Sequence, residues 1–154
     1  MSIYQFCREQ VIPAHRSEVW DFISLPENLK KITPPAMGFD ITTSHISKEM
    51  YPGMIISYKV SPLLGIKTNW VTEITQVREG EYFVDEQRVG PYSLWHHQHM
   101  LAEHEKGVLM KDLVTYLPPM GFLGAIANTL FINDKLEEIF SFRERALIEI
   151  FGSP

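Results

Sequence analysis

Through most of the chain, apolar and polar residues alternate in short runs; after Pro118-Pro119 they change to a three- and four-residue rhythm. Alternation with period two marks half-buried strands, and the longer period marks an amphipathic helix. A first strand is predicted over residues 2–12, ended by Pro13. Val19, Trp20, Phe22 and Ile23 predict a short helix that begins at His15 or Ser17 and reaches Ser24. Pro26 opens a second short helix with Leu29 and Ile32 on one side, since proline suits a first helical turn. Thr33-Pro34-Pro35 ends it. Six further strands are predicted: residues 39–46, 54–60 and 67–77, a pair beginning at residue 83 and joined at Gly90-Pro91, and residues 108–117. The helical rhythm then runs over residues 121–151 through Ile132, Leu136, Ile139, Phe140, Arg143, Leu147 and Ile150. Gly121 and Gly124 fall in its first turns, where they weaken the helix and permit close approach to the sheet.

The order is therefore strand, two short helices, six strands and a long helix. Consecutive strands with short turns make an antiparallel meander, and one long amphipathic helix is available to cover its inner face. The class is α+β. At 154 residues the chain suits a single domain, residues 1–154. A sheet curled round a helix that does not fill it leaves a cavity, expected within the roughly 300–1,000 Å³ usual for small-molecule sites.

Charge and composition narrow the function. The net charge is −5 and the basic residues are scattered, which argues against a nucleic-acid partner. No apolar run approaches the roughly 20 residues of a membrane span, so no stable membrane insertion is expected. The first residues alternate like a strand and lack the pattern of a secretory leader. Cys7 is the only cysteine, which excludes an intramolecular disulfide; a cytoplasmic location is the expectation. The sequence holds neither a G-x-S-x-G elbow nor a glycine-rich phosphate loop, and no cofactor is assigned.

The candidate chemistry lies in the two strands around Gly90-Pro91. Phe83, Asp85 and Gln87 share one face of the first, and Trp95, His97, His99 and Leu101 share one face of the second. If the turn at residues 103–107 sets Leu101 opposite Met110, His99 faces Asp112 and Trp95 faces Tyr116. A carboxylate, an amide and two imidazoles on a buried face each need a partner. Arg143, on the apolar stripe of the last helix, is a natural counter-ion; an arginine there otherwise extends its head to solvent. Two imidazoles with Asp85 or Asp112 can be read three ways: a polar network that fixes register, a set that recognises a ligand, or a metal or acid–base site. No metal is assigned, because a structural zinc site usually has four ligands and Cys7 lies far along the sheet. Trp70, Tyr58, Met54 and Met110 join Phe83, Trp95 and Tyr116 as candidate apolar lining.

These features together resemble the START/Bet v 1-like (SRPBCC) superfamily. The local marks are Val19-Trp20-Asp21-Phe22, Pro26-Glu27-Asn28-Leu29, Thr33-Pro34-Pro35, the stretch from Trp70 to Ile74, Phe83 to Gln87, Gly90-Pro91, and Trp95 with His97 and His99. Asp112, Tyr116, Pro118, Gly121 and Phe140-Ser141-Phe142-Arg143 complete them. The pattern covers nearly the whole chain and is most similar to small bacterial members, some labelled as cell-division inhibitors, polyketide cyclases or coenzyme-Q-binding-like proteins. The resemblance implies the helix-grip fold: a curved seven-stranded antiparallel sheet round a long C-terminal helix, with two short helices after strand 1. It also implies a cavity for a lipid, polyketide or quinone-like molecule. The candidate ligand-binding set is Trp70, Phe83, Asp85, Gln87, Trp95, His97, His99, Asp112, Tyr116 and Arg143. The alternative is a cyclase- or hydrolase-type enzyme using His97 and His99 together with Asp85 or Asp112. The ligand and the oligomeric state stay open at this level.

Overall fold

The computed structural model describes residues 2–62, 65–119, 123 and 126–154. Strand β1 (Tyr4–Ile12) leads into helices α1 (Arg16–Ile23) and α2 (Pro26–Leu29), followed by 3-10 turns at Lys30–Ile32 and Pro35–Met37. Then come β2 (Asp40–Ile41), β3 (Met54–Val60), β4 (Thr68–Arg78), β5 (Tyr82–Val89), β6 (Leu94–His104) and β7 (Gly107–Leu117). A wide helical turn at Asn128–Ile132 runs into the long helix α3 (Asn133–Phe151). All strand pairs are antiparallel, in the order β1-β7-β6-β5-β4-β3-β2.

The first and last strands of the sequence thus pair, Tyr4 opposite Tyr116 and Ile12 opposite Val108. Charge fixes β1 to the helix above it: Arg8 reaches Glu137 and Glu144 of α3, and Gln10 donates to the Glu144 carbonyl at 3.1 Å. Helix α2 is tied to α1 by Asn28, which donates to the Phe22 carbonyl at 3.0 Å.

Strand β2 is two residues long rather than the eight its alternation predicts. The amides of Thr42 and Thr43 both converge on the Ser57 carbonyl, and the Ser57 amide donates to the Thr43 hydroxyl at 2.7 Å. Threonine hydroxyls here replace the ladder partners that a longer strand needs. In α3 the buried stripe is Leu136, Phe140, Arg143 and Leu147, preceded by Ile132, while Ile150 is exposed instead of lying on that stripe. The expected helix start at Gly121, and the close approach suggested for Gly121 and Gly124, lie outside the described residues.

Polar side chains cut the concave face in two. One apolar cluster holds Ile74, Phe83, Leu101, Met110 and Leu147; the other holds Trp70, Val114, Tyr116, Leu136 and Phe140. Between them, Thr72 of β4, Asp85 of β5, His97 and His99 of β6, Asp112 of β7 and Arg143 of α3 form a belt. Each belt residue interrupts an otherwise apolar inward face. Burying a leucine or phenylalanine contributes about 1.5–3 kcal/mol, so a line of polar residues across the sheet gives up a substantial part of the core's driving force.

Candidate functional site

A cavity of about 160 Å³ lies between sheet and helix, against this belt. Trp70, Phe83, Asp85, Trp95, His97, His99 and Arg143 of the expected set line it. Tyr58 and Met110 line it too, whereas Met54 packs in the core beside it. The cavity is smaller than the expected range because aromatic rings crowd one end. Trp70 meets Trp95 edge-on at 5.3 Å between centroids, Tyr92 meets Trp95 at 4.9 Å, and Tyr58 stacks on Trp70 at 6.1 Å.

Three expected residues do not touch the cavity. Gln87 lies opposite Thr72, but its amide clamps the turn, donating to the Tyr92 carbonyl at 2.7 Å and accepting from the Tyr92 amide at 3.1 Å. Asp112, 2 % exposed, sits behind the histidines. Tyr116 packs under Tyr92 and Trp95 and against Tyr4. Conversely, Thr72, Tyr92 and Phe140 line the space although they are not in the expected set. Thr72 shares strand parity with Trp70, and Phe140 lies three residues before Arg143 on the helix stripe, so both are legible in the sequence. Tyr92 follows a proline in a turn and offers no periodic signal.

The β6–β7 register is the one the turn implies, with Leu101 opposite Met110, His99 opposite Asp112 and Trp95 opposite Tyr116. Asp85 of β5 pairs with His97 on the other side. Two carboxylates therefore flank two imidazoles whose rings lie 3.7 Å apart. His97 Nε2 is 2.9 Å from Asp112 Oδ1, and His99 Nδ1 is 3.1 Å from the same oxygen. On the other side His99 Nε2 is 2.6 Å from Asp85 Oδ2, and His97 Nδ1 is 3.6 Å from it. The Arg143 guanidinium approaches Asp112 Oδ1 at 3.4 Å and lies over the Phe140 ring at 4.6 Å. Its Nε is buried with no hydrogen-bond partner.

Electrostatics follow from this packing. Burial alone would raise the Asp85 and Asp112 pKa values. The hydrogen bonds from His99 to Asp85 and from both histidines to Asp112, helped by the Arg143 charge, outweigh it and hold both carboxyls below the ordinary range. His97 is pushed down by burial and by the neighbouring charge of His99. His99 is pulled up despite burial, because it bridges Asp112 and Asp85. The two neighbouring imidazoles are thus pushed in opposite directions, His99 toward the charged form by its two carboxylate partners and His97 toward the neutral form by burial. At the far side of Thr72, burial and the Asp85 charge push the Tyr58 phenol up, so it stays a neutral donor. The Thr72 hydroxyl accepts from Trp70 Nε1 at 3.1 Å. Cys7 is exposed on β1, away from this chemistry.

No protein-family model matches the sequence, and no curated protein does. Solved structures do match over nearly the full chain. Protein CV1439 of Chromobacterium violaceum is 14 % identical, with a TM-score of 0.71 and coverage of 97 % of this chain and 99 % of that one. SA2116 of Staphylococcus aureus, described as a protein of unknown function, is 10 % identical at TM-score 0.69, covering 97 % and 94 %. Ara h 8.0201 is 13 % identical at TM-score 0.62, covering 96 % and 99 %. At such identities the likeness concerns the fold, which is Bet v 1-like. Among the described residues, no helix is long and apolar enough to cross a membrane.

Proposed function

We propose that this protein binds a small, ring-sized apolar or amphipathic molecule between sheet and helix, with its polar end at the belt. The observation that carries this reading is the cavity itself: about 160 Å³, walled mostly by aromatic and aliphatic side chains, with Thr72, Asp85, His97, His99 and Arg143 of the belt facing it and Asn28, Thr33 and Lys135 at its other edges. An apolar cavity of roughly 150 Å³ is enough to hold benzene. That volume favours a quinone-like or phenolic ring over an acyl chain or a multi-ring polyketide. Flat rings also suit the edges and faces of Trp70 and Trp95.

The test has two parts. Native mass spectrometry of protein purified from its host should show one small co-purified molecule. Titration with a substituted benzoquinone or a phenol should quench Trp70 and Trp95 fluorescence, whereas a long-chain fatty acid should not. A bound acyl lipid would contradict the ring-sized reading, and failure of every ring compound to bind would remove ligand binding altogether.

One observation favours a second reading, the cyclase- or hydrolase-type enzyme. His97 lines the cavity and is held neutral, the state in which an imidazole accepts a proton. His97→Gln separates the two: a binder keeps its ligand affinity within a few-fold, while an enzyme keeps binding and loses turnover, typically by about 10²–10⁴ for a general base.

A further inference from the structure

We propose that Asp85, His97 and His99 form a mononuclear site for a divalent transition-metal ion. Their ligand atoms all lie within 4.8 Å of one another. The argument starts from Asp112. Its Oδ1 is within hydrogen-bond reach of His97 Nε2 and of His99 Nδ1, at 2.9 and 3.1 Å. When both of those nitrogens carry the proton, the opposite nitrogens, His97 Nδ1 and His99 Nε2, present lone pairs. Both face the same Asp85 oxygen, at 3.6 and 2.6 Å. In that tautomer two lone pairs and an anionic oxygen converge on one point, an arrangement that a cation stabilises. A proton serves the short His99–Asp85 contact and leaves the His97 side open. A metal ion serves all three.

The distances fit. Ligands held about 2.0–2.2 Å from a tetrahedral Zn²⁺ lie roughly 3.3–3.6 Å apart. The 3.6 Å contact already matches, the 2.6 Å contact has to open by roughly 0.7–1 Å, and the ligand atoms of the set all lie within 4.8 Å of one another, so side-chain rotation seats the ion without moving the strands. The outer arrangement fits as well. Metal-bound histidines donate their second ring N–H to a carboxylate that fixes ring and tautomer, and here one buried carboxylate does so for both. Arg143, 3.4 Å from Asp112, offsets the charge of that carboxylate.

The sequence alone points away from a metal because a closed structural site takes four ligands. An open site takes three, and all three side chains line the cavity, so the vacant positions face its occupant. Two imidazoles and one carboxylate select Zn²⁺ or Fe²⁺ over Mg²⁺. At that position the ion would polarise an oxygen of a bound molecule as a Lewis acid. The inference rests on the cluster's geometry and not on the identity of any organic ligand, so the two readings fail separately.

The experiment is calorimetric titration of chelator-stripped protein with Zn²⁺, with Fe²⁺ under anaerobic conditions and with Mg²⁺, with no organic ligand present. Co²⁺ absorption spectra report the coordination. The expected result is one Zn²⁺ or Fe²⁺ per chain, not displaced by excess Mg²⁺. Asp112→Asn should weaken binding about 10–100-fold, as loss of an outer carboxylate partner does. The nearly isosteric Asp85→Asn and His99→Gln should weaken it more, with circular dichroism unchanged. Binding well below one equivalent to the wild-type protein overturns the proposal. So does stoichiometric binding that Asp85→Asn and His99→Gln leave intact, which would place the ion elsewhere, for instance at the half-buried pair of His96 and Glu86, 2.9 Å apart on β6 and β5.

Discussion

Asp112 is the residue on which the site turns. One of its oxygens serves His97, His99 and Arg143, and its side chain is 2 % exposed. Removing one partner from a buried charged network strands the rest, at a cost of about 3–5 kcal/mol. Asp112→Ala should therefore lower unfolding free energy by about that amount in urea titrations, whereas His97→Ala should cost less, because Asp112 keeps His99 and Arg143 as partners. The pH dependence has a definite sign. Asp85 and Asp112 have depressed folded pKa values, so their contribution is present above the unfolded carboxyl value of about 3.9 and is lost as pH falls through the lower folded values. His99 is raised, so its contribution is full below about 6.5 and fades as pH rises through its folded value. Chemical denaturation across pH should show both limbs, with the acid limb reduced in Asp112→Asn and the alkaline limb reduced in His99→Gln.

At the scale of elements, legibility depends on how tightly the turns hold register. The short link between β6 and β7 sets Leu101 opposite Met110, and from there strand parity alone brings His99 to Asp112. Between β4 and β5 the register shifts twice, at Val71/Thr72 and Ile74/Gln76, and no pattern in the sequence marks such bulges. Gln87 has the parity of a ligand contact, yet its amide, beside Gly90-Pro91, is spent on clamping the turn. Parity locates a side chain without saying which neighbour it bonds. Arg143 is only half legible: a charge on an apolar helix stripe either meets an opposite charge or extends to solvent, and it is burial beside Asp112 that decides for the first. Cavity size is not legible, since it depends on the rotamers of Trp70, Tyr92 and Trp95. The β6–β7 link also carries a prediction. Gly107 has φ +134°, and a Cβ there would collide with the Ile12 carbonyl. Gly107→Ala should thus destabilise by more than about 1 kcal/mol, while altering neither the cavity nor the histidines. Thermal melts with an intact tryptophan spectrum check it.

At the scale of the whole molecule, the polar belt and the cavity divide one core into two apolar clusters. Filling the gap tests whether it is functional space. Ile56 lines it and is buried, so Ile56→Trp should abolish binding of a ring-sized ligand while costing about 1–3 kcal/mol of overpacking, measured by fluorescence titration and urea unfolding respectively. The pairing of β1 with β7 has a further consequence, in time rather than space. Its two partners are separated by about a hundred residues of chain. At about 5–20 residues per second, a ribosome needs roughly 5–20 s to deliver β7 after β1 has emerged. For that interval the apolar Phe6 and Ile12 and a strand's worth of unpaired amides wait without their neighbour. Such long-range closure places refolding in the slow, millisecond-to-second class of β-rich domains. It also makes nascent β1 a natural client for chaperones that hold extended apolar segments.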